Sequence, residues 1–285
     1  MKTVLQTIQS GTPYLEKAGV ESARLNMEHL LAHVMGCKRM DLYLRFNEPL
    51  EENILEPLRD LTRRRAKREP LQHLLGSVEF MGREFNSDAR ALIPRPETEE
   101  LVEKILAHCK KNNLPPPAQI LDMGTGSGVI GLSLAHAFPE AHATLADVSP
   151  DALSLARENA GKTALPDGRA SFVLTDLFQN LTGGPFDLIV ANLPYIASDE
   201  IPSLSAEVQR DPVLALDGGP AGTEMIVDFL AQLRPHAAPG AFLALEIGAG
   251  QSADLLPLMA NSGLQECRSV PDYSGRDRFL LAVAP

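Results

Sequence analysis

Three stretches of this chain carry residue types from which chemistry can be built. The first, Ile120-Leu121-Asp122-Met123-Gly124-Thr125-Gly126-Ser127-Gly128-Val129-Ile130-Gly131, is a buried-strand pattern running into three alternating glycines. Glycines there let the backbone turn tightly and approach a ligand closely before a helix begins. Gly126, Gly128 and Gly131 also satisfy GxGxxG, so the glycines alone fit a dinucleotide as well as another nucleoside cofactor. The second is Asp147, 19 residues after Gly128 and behind a second strand pattern, where a carboxylate can accept from both ribose hydroxyls. The third runs from Phe186 through a strand pattern and stops in Asn192-Leu193-Pro194-Tyr195.

Asp122 sharpens the first stretch. Two residues before Gly124, it would repel a pyrophosphate and tolerate the cationic amino-acid end of S-adenosylmethionine. The third stretch lies where ligands react in an open α/β sheet, beyond the carboxyl end of a strand. An amide or aromatic amine is a poor nucleophile because its lone pair is delocalised. The Asn192 side-chain carbonyl and a nearby backbone carbonyl can accept both N–H groups of a planar NH2 and aim the lone pair at a sulfonium methyl. Tyr195 offers a face for packing against the planar group. No strong base is required, since the nitrogen can lose its proton during or after transfer.

These residues need elements to hold them. Apolar runs of strand length at 118–122, 142–146, 170–174, 186–191, 240–246, 264–270 and 277–283 alternate with helix-length segments, which predicts a parallel sheet covered on both faces. Residues 1–72 read as helices alone. Ala23, Met27, Leu30, Leu31 and Val34 share one helical face, with Ser22 as a start signal and Gly36 as a stop, and Ile54, Leu55, Leu58 and Leu61 repeat the pattern before Pro70. Residues 76–85 read as a hairpin turning at Gly82, and Pro115-Pro116-Pro117 as a stiff connector into the first strand of the sheet. The expected domains are 1–72, helical; 73–90, hairpin and linker; and 91–285, α/β.

Composition excludes other classes. The 285 residues are 44% hydrophobic and 22% charged, and no apolar run is long enough to span a membrane, so neither a membrane-spanning nor a disordered protein is expected. The first ten residues alternate polar and apolar types, unlike a secretory signal, which predicts a cytoplasmic protein. Cys37, Cys109 and Cys267 are odd in number and widely spaced, suggesting neither a disulfide framework nor a zinc site. The net charge of -11 divides into +2 for residues 1–72 and -13 for the rest, and so acidic a large domain argues against general nucleic-acid binding. His29 and His33 lack the glutamate of HExxH and a third ligand, so no metal site is expected. Arg63-Arg64-Arg65-Ala66-Lys67-Arg68 reads equally as an acidic-partner contact or as a solvated helix end. Glu246 ends another strand pattern, where an acid can simply cap the next turn. Arg95 stands between two prolines, able to shape a site mouth or pair with Glu97 or Glu99.

The DxGxGxG loop with its second acid resembles the class I S-adenosylmethionine-dependent methyltransferases. Adding Pro70–Gly76, Leu92–Glu99, Asn192–Tyr195, Leu214–Gly219 and Ser274–Arg278, the chain resembles the HemK/PrmC family of bacterial release factor glutamine methyltransferases over nearly its whole length. The resemblance implies a Rossmann-like, seven-stranded, mostly parallel sheet behind a small all-helical domain that recognises the substrate. It implies methylation of N5 of the glutamine in the Gly-Gly-Gln motif of class 1 peptide-chain release factors, without membrane or direct nucleic-acid contact. Asp122, Gly124, Thr125, Gly126, Ser127, Gly128, Asp147, Asp176, Leu177 and Asn192 would bind S-adenosylmethionine, Leu177 beside the adenine. Asn192, Leu193, Pro194 and Tyr195 would hold the substrate, with Asn192, Pro194 and Tyr195 catalytic. The family's usual tetrad is Asn-Pro-Pro-Tyr, and this chain departs from it at Leu193. Asn-Leu-Pro-Tyr also occurs in rRNA adenine dimethyltransferases, so the tetrad alone leaves glutamine and adenine open. A ribosomal-protein glutamine, a non-catalytic nucleoside-cofactor module and an NAD-dependent oxidoreductase are the remaining alternatives.

Overall fold

The computed structural model describes residues 2–112 and 115–285. Residues up to 77, joined by 205–210, form one compact unit, and 78–204 with 211–285 form a second.

The first unit is helical: α1 (Val4–Lys17), α2 (Ala23–Val34), α3 (Asp41–Leu44), α4 (Glu52–Ala66) and α5 (Leu71–Leu75). Thr3 starts α1 with a reciprocal box, its hydroxyl accepting from the Gln6 N–H while the Gln6 side chain accepts from its own. Met27, Leu30 and Leu31 are buried against Val4, Ile8 and Leu15 of α1 and Leu58 of α4, the face that the spacing predicts. Ser22 occupies the N-cap position of α2, as the start signal predicts, and its carbonyl accepts from the Asn26 amide. Its backbone is left-handed (φ 48°) rather than extended, and its side chain makes no capping hydrogen bond.

The four arginines of the basic run at the end of α4 find carboxylates within this unit. Arg63 pairs with Asp60, Arg64 with Glu69, and Arg65 and Arg68 both with Glu207, which arrives from far along the chain. Arg65 is buried and also reaches Asn26 Oδ1 at 2.8 Å. A guanidinium out of water requires such partners. No local pattern marks 205–210 as part of a helical unit, because long-range pairing places it there.

At the boundary with the second unit the chain forms a hairpin, β1 (Ser77–Phe80) and β2 (Arg83–Asn86), turning at Met81-Gly82 and burying Phe80 and Phe85 against Leu101 and Ile105 of α6 (Pro96–Lys111). There follow β3 (Gln119–Met123), α7 (Val129–Ala137), β4 (His142–Asp147), α8 (Pro150–Lys162), β5 (Ala170–Leu174), β6 (Phe186–Asn192), α9 (Glu224–Leu233), β7 (Ala237–Glu246), α10 (Ser252–Asn261), β8 (Gln265–Pro271) and β9 (Asp277–Val283). The seven strands β3 to β9 form one sheet in the order β5-β4-β3-β6-β7-β9-β8, parallel except for β9, which runs against both β7 and β8. All seven predicted strands are present. β7 starts earlier than its apolar run, because a register shift near Phe186 lets Ala237 pair ahead of the Pro239-Gly240 step. Buried side chains cover both faces of this sheet. Among the described residues, no helix is long and apolar enough to cross a membrane.

The chain winds outward from β3 to β5 and then returns to place β6 on the other side of β3. That reversal opens a crevice at the carboxyl ends of β3 and β6. Asp122 shapes its floor. Fully buried, the carboxylate accepts from Thr125 Oγ1 at 2.6 Å and from the Gly131 amide at 2.8 Å, tying the glycine loop to the first turn of α7. A Cβ on Gly131 would lie 2.9 Å from Asp122 Oδ2, so only glycine permits this approach.

Two outcomes follow from these anchors. Glu207→Ala leaves two guanidiniums without their shared partner, one of them buried, and is expected to destabilise the helical unit by on the order of 1–3 kcal/mol. Amide exchange across 52–75 should accelerate, and unchanged exchange would count against the anchor. The second concerns Asp122, whose carboxyl is pushed up to about 6 by burial, with Asp147 acting in the same direction. The folded protein holds that proton more tightly than the unfolded chain, so the group's contribution is complete below about pH 4 and lost as pH rises through about 6. Asp122→Asn is neutral throughout. Its stability should gain on wild type by up to about 3 kcal/mol between pH 4 and 7, and a pH-independent difference in thermal midpoint would refute this.

Candidate active site

A cavity with about 1000 Å³ of free space, counting its open mouth, lies at the carboxyl ends of β3, β4 and β6. Its size suits a nucleoside cofactor together with a small side chain. The structure brings most of the sequence candidates to its walls. Gly124, Thr125, Gly126 and Ser127 come from the glycine loop, Asp147 from the end of β4, Asp176 and Leu177 from beyond β5, and Asn192, Leu193 and Pro194 from the end of β6. Asp122, Gly128 and Tyr195 are not among the lining residues. Asp122 faces α7 and the underside of the loop, bonded to the Thr125 hydroxyl and the Gly131 amide. Gly128 is buried at the start of α7.

Asp147 is held from two sides, Oδ2 accepting from the Gly126 amide at 2.8 Å and Oδ1 from the Ser149 amide at 2.9 Å. Burial raises its pKa above the ordinary aspartate value, opposed by these amides. A carboxylate has about four acceptor sites, so two amides leave capacity for hydroxyl donors in the cavity. Beyond β5, Thr175 fixes the turn by donating from its amide to the Asp147 carbonyl and from its hydroxyl to the Leu177 carbonyl. Leu177 is held there in the left-handed region (φ 47°), an unusual conformation for a branched side chain at a cavity wall.

Around Asn192 the geometry is denser. Its Nδ2 donates to Thr98 Oγ1 at 3.3 Å, Thr98 Oγ1 donates to Glu246 Oε2 at 2.8 Å, and the Tyr195 hydroxyl donates to Glu246 Oε1 at 3.2 Å. Glu246 is buried, and burial pushes its carboxyl up to about 6, against the bonds from Thr98 and Tyr195 and the attraction of Arg278. The Tyr195 phenol is pushed well above its ordinary range by burial, with the Glu246 charge adding to it. Tyr195 is thus a strut between β6 and β7, and its ring faces the Arg278 guanidinium at 6.0 Å.

Several motifs act from behind. The turn at 194–196 is clamped by Ile196 N to Leu216 O (3.1 Å) and Gly218 N to Ile196 O (2.9 Å). A Cβ on Gly218 would lie 2.7 Å from the Pro194 carbonyl oxygen. Arg278 donates to the Ile247 carbonyl and buttresses the turn after Glu246. Arg95 pairs with buried Asp211 at 2.7 Å, and with neither Glu97 nor Glu99. Asp211 also accepts from the Ile93 amide, which fixes the loop supplying Leu92 and Pro94 to the cavity wall. Burial pushes its carboxyl up to about 6.

Thr98, Asp211 and the wall formed by Leu214, Ala215 and Met225 are absent from the sequence assignment. Thr98 and Leu214 lie inside stretches that carried the family resemblance, the one signal that pointed toward them. Glu246 was readable only as an acid at a strand end.

Comparison with known proteins agrees with this architecture. Residues 6–76 match the PrmC N-terminal domain family and residues 101–210 the methyltransferase small domain family. A solved methyltransferase from Pyrococcus furiosus shares the fold, with a TM-score of 0.54 at 17% identity over 78% of this chain and 98% of that one. The release factor glutamine methyltransferase of Geobacter sulfurreducens is 37% identical over 98% of this chain and 95% of its own length. That of Deinococcus radiodurans is 40% identical over 96% of each. With that identity along both units, and a cavity at the reversal of the sheet, the chain belongs to the release factor glutamine methyltransferases, enzymes dependent on S-adenosylmethionine.

Proposed function

We propose that the protein methylates N5 of the glutamine in the Gly-Gly-Gln motif of class 1 peptide-chain release factors. The observation that carries this reading is the position of Asn192-Leu193-Pro194-Tyr195, whose first three residues line the same cavity as the glycine loop and Asp147. S-adenosylmethionine supplies a methyl group already activated by a positive sulfonium. The residues present fit it: Asp147 retains acceptor capacity for the ribose, the glycine loop offers backbone at close range, and Val148 and Leu177 flank the region assigned to the adenine.

The work of the protein is then orientation. Asn192 Oδ1 and the backbone beyond it accept the two N–H groups of the glutamine amide, hold its plane and direct the nitrogen lone pair at the methyl carbon. As the nitrogen becomes tetrahedral its protons grow more acidic, so these acceptors grip the transition state more strongly than the ground state. Leu92, Pro94, Leu193 and Leu214 supply apolar walls that limit water around the reacting nitrogen. The helical unit is assigned to recognition of the release factor, supported by its match to the PrmC N-terminal domain family and its +2 charge beside -13 for residues 73–285. Neither a membrane nor a nucleic acid takes part in the proposal.

Incubation with labelled S-adenosylmethionine and a purified class 1 release factor, followed by peptide mass mapping, should find one methyl group on the Gly-Gly-Gln glutamine. Label on another residue, or none, would reject the assignment. Asp147→Asn removes a charge-assisted acceptor and should weaken S-adenosylmethionine binding by about 10-fold or more in calorimetry. Asn192→Ala should lower the single-turnover rate by on the order of 100-fold, the scale of one preorganised polar contact. A wild-type chemical rate would remove Asn192 from the reacting centre.

A further inference from the structure

Asn192 and Glu246 are register partners in the parallel pairing of β6 with β7, so their side chains leave the same face of the sheet at its carboxyl edge. Thr98 stands between them. It is the third residue of α6, whose start is set by Pro96 at the first position, and it is buried to 3% exposure while still meeting the cavity wall.

A side-chain amide has two ends of similar size and opposite hydrogen-bonding character, and nothing in its shape decides which one meets the substrate. Here the partners decide. An ionised carboxylate can only accept, so the single hydrogen of the Thr98 hydroxyl goes to Glu246 Oε2, 2.8 Å away. The hydroxyl can then only accept from its other neighbour. Asn192 must therefore turn its NH2 end toward Thr98, at 3.3 Å, which directs Oδ1 the opposite way. Reversed, the amide would set N–H against the N–H groups of a glutamine, a repulsive arrangement.

We propose that Thr98 and Glu246 are positioning residues that fix the polarity of the Asn192 amide, so that an acceptor and never a donor faces the substrate nitrogen. This rests on the reading of Asn192 as the acceptor for the glutamine NH2. The second Glu246 oxygen is held by the Tyr195 hydroxyl, and Arg278 faces the pair, so the carboxylate is oriented at both ends. A polar chain of this kind acts as a unit, because each bond sets the direction of the next.

The test is a double-mutant cycle on the full-length enzyme, read as the single-turnover rate on a release factor together with S-adenosylmethionine affinity by calorimetry. Thr98→Val keeps the volume and removes the hydroxyl. It should slow transfer by about 10-fold or more with cofactor affinity within about 3-fold of wild type, while Thr98→Ser restores the rate to within about 3-fold. In an Asn192→Ala background, Thr98→Val should add no more than about 2-fold, because there is no amide left to orient. If Thr98→Val does not fold, Glu246→Gln gives the same cycle, since its NH2 can donate to Thr98 and release the hydroxyl hydrogen toward Asn192. A wild-type rate for Thr98→Val beside a slow Asn192→Ala overturns the relay alone. An equal penalty from Thr98→Val in both backgrounds also overturns it, as the mark of an independent structural role. A wild-type rate for Asn192→Ala overturns the reading of Asn192, and the relay falls with it.

Discussion

Carboxylates drawn wholly or partly out of water around the carboxyl edge of a mostly parallel sheet must find donors, and the donors they find are backbone amides, hydroxyls and one guanidinium. Asp122 takes the Gly131 amide and the Thr125 hydroxyl, Asp147 the amides of Gly126 and Ser149, Asp211 the Ile93 amide and Arg95, and Glu246 the hydroxyls of Thr98 and Tyr195. An unpaired buried charge costs several kcal/mol, so each pairing fixes the loop that supplies its donors. Those loops are the walls of the cavity. Its shape therefore follows from where these four acids sit, three at strand ends and Asp211 in an irregular stretch, and only secondarily from the apolar contacts around them.

This arrangement leaves the site electrostatically tense. Asp122, Asp211 and Glu246 are each pushed up to about 6, mainly by burial, so at neutral pH the enzyme holds charges that their surroundings resist. Departures of this kind concentrate where function requires them. None of the three lines the cavity: Asp122 meets it through the glycine loop, Asp211 through the 92–95 loop and Glu246 through the Thr98 hydroxyl. The chemistry asked of the protein is orientation of a weak nucleophile, and orientation needs rigid backbone more than it needs an additional base.

The central strands were legible in the sequence because a parallel strand covered on both faces must be largely apolar, whereas the edge strand β8, Gln265–Pro271, is mostly polar and lacks a buried residue. Asp147 and Asn192 were legible for a related reason: each follows immediately after such a run, and strand ends are where ligands meet an α/β sheet. What escaped depends on contacts between distant segments. Thr98 is one hydroxyl in the first turn of an amphipathic helix, and nothing within α6 says that it meets two strand ends. Glu207 and Asp211 lie in an irregular stretch without periodicity, and their partners come from residues 65–68 and 93–95. Asp122 was visible, but its position relative to the cavity was not, since it does not line the wall. Its place next to the glycines suggested contact with a ligand, whereas the pleat of β3 turns its side chain toward α7.

Leu193, where the tetrad implied by the family resemblance has a second proline, shows how the turn at 192–195 keeps its shape without it. Proline at that position would fix one backbone angle and remove one amide. Leu193 is already biased to extended angles by Pro194, and its side chain is buried among Ala191, Ile226 and the neighbouring core residues, with Cδ2 against the glycine loop at Gly124. Downstream, the turn is tied by Ile196 to Leu216 and Gly218, and by Gln251, whose amide donates to the Tyr195 carbonyl at 2.9 Å. Upstream, it is tied by the continuation of β6 into Asn192. With both ends constrained, the conformation of residue 193 is determined by its neighbours, and packing supplies what the missing ring would have contributed. On the proposed reading, the same logic places the selectivity for a planar NH2 in the polarity of Asn192 rather than in the identity of residue 193.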